Sequence, residues 1–88
     1  MSMLGMDITG VRQLANQMNS ASNEIQALSG QLTQLLGNTV WVGPDHDRFA
    51  ADWHSTYMGQ LQNVANALAT AATVANQNAV QQETASNS

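Results

Sequence analysis

Apolar residues recur in this chain at intervals of seven, and that spacing constrains the fold more than any other feature. Val11, Met18, Ile25 and Leu32 form one column, and Leu14, Ala21, Leu28 and Leu35 form a second, three residues further on. Two such columns make the a/d stripe of a helix that packs lengthwise against another helix. Four heptads at 1.5 Å per residue predict a rod of about 45 Å. Asp7 supplies a side-chain acceptor at the helix start, with Met6 and Val11 spaced as a hydrophobic staple. Gly37-Asn38 offers residues that tolerate a left-handed stop. The first helix is therefore expected over about 7–37, after a flexible N-terminus at 1–6.

A second helix begins after a six-residue connection at 38–43. Gly43 is a permissive cap, Pro44 suits the first helical position, and Asp45 and Asp47 suit the positive end of the helix dipole. The apolar line then reads Phe49, Trp53, Tyr57, Leu61, Val64, Leu68, Ala71 and Ala75, tapering from aromatic to small. Beyond 78 the apolar period fades, so the helix is expected over 44–78 and a disordered tail over 79–88. The β-branched residues Thr39, Val40 and Val42 fall inside the connection, and no strand pattern competes. The class is all-α: two long helices on a short link must run back along each other as an antiparallel hairpin.

A lone hairpin leaves much of so wide an apolar stripe in water, and 88 residues bury only about 60–65% of their unfolded surface. Four helices are the smallest bundle that encloses an a/d core on every side, so dimerisation into a four-helix bundle is expected. Val11, Leu14, Met18, Ile25, Leu28, Leu32, Leu35, Leu61, Val64 and Leu68 are the candidate residues of the helix-packing and dimer seam.

Composition excludes several kinds of partner and chemistry. Charged residues are 9% of the chain, and Arg12 and Arg48 are its only fixed cations against six acids. Nucleic acid and anionic membrane surfaces both require clustered Lys or Arg, so neither is an expected partner. The absence of cysteine removes disulfides, thiolate catalysis and Cys-ligated metals. No stretch of about 20 apolar residues is present, because Asn63, Asn66, Asn76, Gln77 and Asn78 interrupt the uncharged span 53–82. Stable membrane insertion is not expected. The N-terminus has neither a basic region nor an apolar run of signal-peptide type, so any export is expected to be leaderless.

Catalytic signals are weak. His46 and His54 stand eight apart, more than two helical turns, which denies them an i, i+4 metal pair. No nucleophile elbow, phosphate-binding glycine loop or paired carboxylate appears, and no catalytic, cofactor or metal site is expected. The aromatic residues are more informative. Trp41, Phe49, Trp53 and Tyr57 are all the aromatics of the chain, and they lie within one short stretch at one end of the hairpin. They can close the bundle tip as a cap, or present a recognition surface rich in hot-spot residue types. Gly30 and Gly59 fall mid-helix at outward positions, either as surface weak points of about 1 kcal/mol each or as spots of close approach to a further partner.

Trp41-Val42-Gly43, placed between two amphipathic helices, resembles the turn of the WXG hundred-residue family, the early-secreted-antigen-like substrates of bacterial type VII (ESX) secretion. Phe49 lies six residues after the glycine and Trp53 four later, as that family commonly has them. The resemblance spans residues 7–78. It implies a non-enzymatic, secreted, virulence-factor-like protein, with a cytoplasmic pool before export. It also implies pairing with itself or a related WXG-type chain, and recognition by the type VII secretion ATPase. The source expected is Gram-positive, with the scarcity of lysine pointing to an actinobacterium. Family members or their partners carry Tyr-x-x-x-Asp/Glu beyond the second helix; here Ala79 and Glu83 hold those places, a degenerate export tag without its tyrosine. Export beside a tagged partner is one implication. The alternative is a chaperone or targeting adaptor for a larger type VII effector.

With so few charges, solubility rests on Asn and Gln. Surface ion pairs contribute about 0–1 kcal/mol each. The thermal midpoint should therefore move little between low and high salt in a melt followed by circular dichroism; a large loss at high salt would reveal an ionic network.

Overall fold

The computed structural model describes residues 5–87. Helix α1 runs Ile8–Asn38, α2 runs Pro44–Asp52, and α3 runs Met58–Asn87, with a π-helical turn at Trp53–Tyr57 between the last two. Asp52, Trp53 and Met58 all have right-handed helical backbone, so α2, the π turn and α3 form one continuous arm. No strand occurs among the described residues. The chain is a two-arm helical hairpin with extents of 66 × 17 × 16 Å.

Three cross-arm contacts fix its direction. Ser22 Oγ donates to the Ala65 carbonyl at 2.7 Å, Arg12 pairs with Glu83 at 3.2 Å, and Trp53 Nε1 donates to Thr33 Oγ1 at 2.8 Å. As the α1 number rises the partner's number falls, so the arms are antiparallel.

The start of α1 is built as its residues dictate. Asp7 caps it, its Oδ1 accepting from the Gly10 amide at 3.0 Å. A Cβ on Gly10 would meet the Asp7 carboxylate, so a larger residue there requires the capping side chain to shift. The other end differs from expectation. Helix α1 continues through Gly37 to Asn38 and stops at Thr39 in extended backbone, with no left-handed residue. Thr39 Oγ1 donates to the Leu35 carbonyl at 2.6 Å, satisfying one of the last free carbonyls in place of a glycine cap.

Within one chain the packing divides the seam expected above. Ala15, Ala65, Ala72 and Ala79 are fully buried, and Ser22 almost so; among the described residues no large side chain is. These residues mark columns one step from those that large side chains suggest: Ile8, Ala15, Ser22 and Ser29 on α1 against Met58, Ala65, Ala72 and Ala79 on α3. Small side chains let the two backbones approach until the Ser22 hydroxyl reaches across to an α3 carbonyl. Val11, Met18, Ile25, Leu61 and Leu68 flank this line half-buried. Leu14, Leu28 and Leu35 do not join the hairpin seam and remain 51, 53 and 61% exposed, with Leu32 and Val64 also exposed.

Two further features depart from the periodic reading. Helix α3 does not end near 78: it continues to Asn87 in place of a disordered tail, because Ala79 completes the small-residue column and Glu83 reaches Arg12. The expected flexible N-terminus falls mostly at residues 1–4, outside the described residues. The second feature is the π turn, in which the Met58 amide donates to the Trp53 carbonyl, five residues back. One extra residue in the turn shifts the inward face upstream. Without it, the 58/61/65 seam would extend back through His54, Ala51 and Asp47; with it, the half-buried residues are Trp53, Ala50 and His46. The bulge thus reconciles the seam of α3 with an aromatic in place of a charged residue at the tip.

Deleting Ser55 should convert the π turn to regular α-helix while preserving both inward faces. The variant is expected to keep its helicity and melt at or above the parent's midpoint. A fall of several degrees would show that the extra residue has a role other than register.

Candidate functional site: the aromatic tip

The tip is assembled from the last two turns of α1, the connection, α2 and the π turn. Gly43 makes the sharp entry to α2. Its φ of 131° and ψ of 176° lie in a region essentially restricted to glycine. Its carbonyl accepts from the Asp47 amide at 3.1 Å, and Pro44, Asp45 and Asp47 fill the first turn as their types favour. This entry turns the chain so that Trp41 folds back on α2. Its ring meets His46 edge-on at 5.3 Å between centroids and Phe49 tilted at 5.5 Å. Phe49 and Trp53 each meet Tyr57, at 6.5 and 6.4 Å.

Trp53 is the anchor of the group. The Thr33 hydroxyl accepts from the indole Nε1 and donates to the Ser29 carbonyl at 2.7 Å, and it lies 3.7 Å from Met58 Sδ. The indole's polar atom is thus satisfied inside the hairpin while its ring faces the tip. The remaining aromatics are only partly covered. Trp41 is 40% exposed, Phe49 and Tyr57 are similar, and Val40 and Val42 on either side of Trp41 are almost wholly exposed. Leu32, Leu35, Leu36, Thr39, Trp41, Phe49 and Trp53 surround an apolar cavity of about 440 Å³ that remains open to solvent.

The sequence-predicted residues therefore fall into three places. Trp41, Gly43, Phe49, Trp53 and Tyr57 come together at the tip. The seam residues separate into half-buried Val11, Met18, Ile25, Leu61 and Leu68, and exposed Leu14, Leu28, Leu32, Leu35 and Val64. Ala79 and Glu83 lie at the opposite end of the rod, one buried and one paired across the hairpin. Sequence reasoning missed Thr33 and His46 as tip residues. Thr33, four residues after Ser29 on the inward side of α1, is a signal for the first; the phase of His46 is set by the π turn and has no local signature.

Polar chemistry at the tip is sparse. His46 Nδ1 lies 3.3 Å from Asp47 Oδ1, and Arg48 lies 3.9 Å from Asp45. Among the described residues no group of three or more His, Asp or Glu is placed to hold a metal ion, and no helix is long and apolar enough to cross a membrane. Searches against protein-family models, curated proteins and solved structures each returned no match.

Two glycines that look alike in sequence should respond oppositely to alanine. Gly37 is helical with open space around its Cβ position, so Gly37→Ala should stabilise by about 0.5–1 kcal/mol. Gly43 also has open space, but its backbone conformation is closed to alanine, and Gly43→Ala should cost about 1–3 kcal/mol. Urea denaturation of the two variants checks both signs.

Proposed function

We propose that this chain is a non-enzymatic protein of the WXG class that pairs through its exposed apolar face and is exported as that pair by a bacterial type VII secretion machine. The observation supporting pairing is the position of the large side chains relative to the small-residue seam. Viewed along either arm, the columns containing Leu14, Leu28 and Leu35, and Tyr57, Val64 and Ala71, are rotated about 100° from the buried line, in the same sense. In antiparallel helices, equal rotation places both on one side of the hairpin. The result is a single continuous apolar face, flanked by the half-buried Val11, Met18, Ile25, Leu61 and Leu68.

The opposite side is more polar: Arg12, Asn19 and Gln26 on α1 and Gln62, Asn76 and Glu83 on α3 are rotated about 50° from the buried line in the other sense. The chain's accessible surface, 6436 Å², exceeds by more than a quarter the roughly 5,000 Å² of a compact monomer of this mass. A standard interface buries about 800 Å² per partner, an area this surplus can provide. Two copies stacked face to face, or one copy on a related hairpin, make a four-helix bundle. Assignment to type VII export rests on the resemblance of Trp41-Val42-Gly43, with Phe49 and Trp53 in register after it.

Ala79 and Glu83 favour co-export. Alanine occupies the tyrosine's place and is turned into the seam, and Glu83 is engaged with Arg12. A partner chain with an intact tag would then carry the signal. The same observation supports the adaptor reading, in which the partner is a larger effector with its own helical hairpin.

Leu28→Ser with Val64→Ser should convert the dimer to monomer in light scattering at micromolar concentration while leaving the Ser22–Ala65 seam intact. A parent chain that is already monomeric and stable would refute pairing with itself, and one that also fails to bind a related hairpin would refute pairing altogether. In the native cell the unpaired chain should remain inside, and co-expression with its partner should bring both into the culture supernatant; efficient release of the unpaired chain would refute co-export.

A further inference from the structure

The cavity at the tip is the end of the apolar face, sharing Leu32 and Leu35 with it, and differs from the rest of that face in the charges nearby. Between the last turns of α1 and the start of the second arm, Leu32, Leu35 and Leu36 form one wall and Phe49 and Trp53 the other, with Trp41 closing the end. At about 440 Å³ it falls within the range of ligand clefts, about 300–1,000 Å³. Its walls are two helices, and a groove between two helices is filled most readily by the apolar face of a third.

The charges select among possible occupants. Asp45, Asp47 and Asp52 are half of the chain's six acidic residues, and Arg48 is the one fixed cation among them. Asp45, Phe49 and Asp52 stand at i, i+4 and i+7, so two exposed acidic residues flank Phe49 on one stripe of α2, Asp45 lying 3.9 Å from the exposed Arg48. Along the rod, the apolar-face positions of α1 from Val11 to Leu35 and of the second arm from Tyr57 to Ala71 contain no acid or base. A second copy of this chain has only two arginines to offer these carboxylates, and Arg12 is at the far end of the rod, paired with Glu83.

We propose that the tip cavity is a docking site for a short amphipathic helix of another protein, one presenting large apolar side chains flanked by Lys or Arg. Two anchors one turn apart enter between Leu35 and Phe49, and the basic flanks meet Asp45 and Asp52. The site does not depend on the export reading: it follows from the cavity and its rim, and it is tested on the purified chain.

Both tryptophans line the cavity, so intrinsic fluorescence reports directly on occupancy. The full chain is titrated at low salt with a synthetic helical peptide carrying two leucines one turn apart between lysines. A second peptide replaces the lysines by glutamates, and a third replaces the leucines by serines. The lysine–leucine peptide should bind saturably and at least tenfold more tightly than either control, and the margin over the glutamate peptide should narrow as salt is raised. Asp45→Asn and Asp52→Asn, both at exposed positions, should each weaken it by about two- to fivefold, while Glu24→Asn on α1 should not. Phe49→Ser should abolish binding. No binding of the lysine–leucine peptide, or equal binding of the lysine and glutamate peptides, overturns the proposal. Binding that survives Phe49→Ser but is lost on Leu14→Ser locates the contact on the long apolar face and overturns it too. Dissociation of the dimer by Phe49→Ser would make a second copy the occupant of the cavity, and that outcome likewise overturns the proposal.

Discussion

The hairpin depends on a column of small side chains. Ala15 and Ser22 on one arm and Ala65, Ala72 and Ala79 on the other are the only residues buried to completion or nearly so among those described. None carries enough apolar surface to drive folding alone, since burying even a large aliphatic side chain is worth only about 1.5–3 kcal/mol. What they provide is proximity. With no bulk between them, the arms approach until a serine hydroxyl on α1 satisfies itself on an α3 carbonyl, and the larger residues beside the line are covered from one side only. A bigger side chain at Ala72 would push the arms apart and uncover Met18 and Leu68 as well.

That choice of contact determines where the large side chains go. A seam built from leucines would bury Leu14, Leu28 and Leu35 within the chain and leave little for another molecule to cover. A seam built from alanine and serine leaves those leucines on one face, with Val64 and Tyr57 beside them. The other face is more polar, with asparagines, glutamines and the Arg12–Glu83 pair. The asymmetry between faces is therefore a consequence of side-chain size at one heptad position.

Much of this was legible in the sequence: two long helices, the Asp7 cap, the glycine and proline at the start of α2, and the gathering of aromatics at one end. The choice between heptad columns was not. Val11, Met18, Ile25 and Leu32 pair equally well in spacing with the large column at 14, 21, 28 and 35 or the small one at 8, 15, 22 and 29. Periodicity cannot separate them, because hydrophobicity favours the first and close approach favours the second. The extension of α3 to Asn87 was hidden for a related reason: Ala79 and Glu83 interrupt an apolar period but continue the small column and add a cross-arm charge pair. The π turn has no local signature, and becomes necessary only when 58, 61 and 65 must face the same arm as Trp53.

The tip shows how these constraints combine. Thr33 holds Trp53 by its one polar atom, and the register shift of the π turn delivers that indole to the inward side. Gly43 alone can take the backbone angle that returns Trp41 over Phe49. Each device positions an aromatic ring, yet Trp41 and Phe49 keep about two-fifths of their surface in water. A cap evolved only to close the end of a hairpin would gain from covering them, since each exposed ring forgoes part of its transfer free energy. Rings held in place but left open fit the docking proposal, because an anchor already positioned by its own chain requires little further ordering on contact.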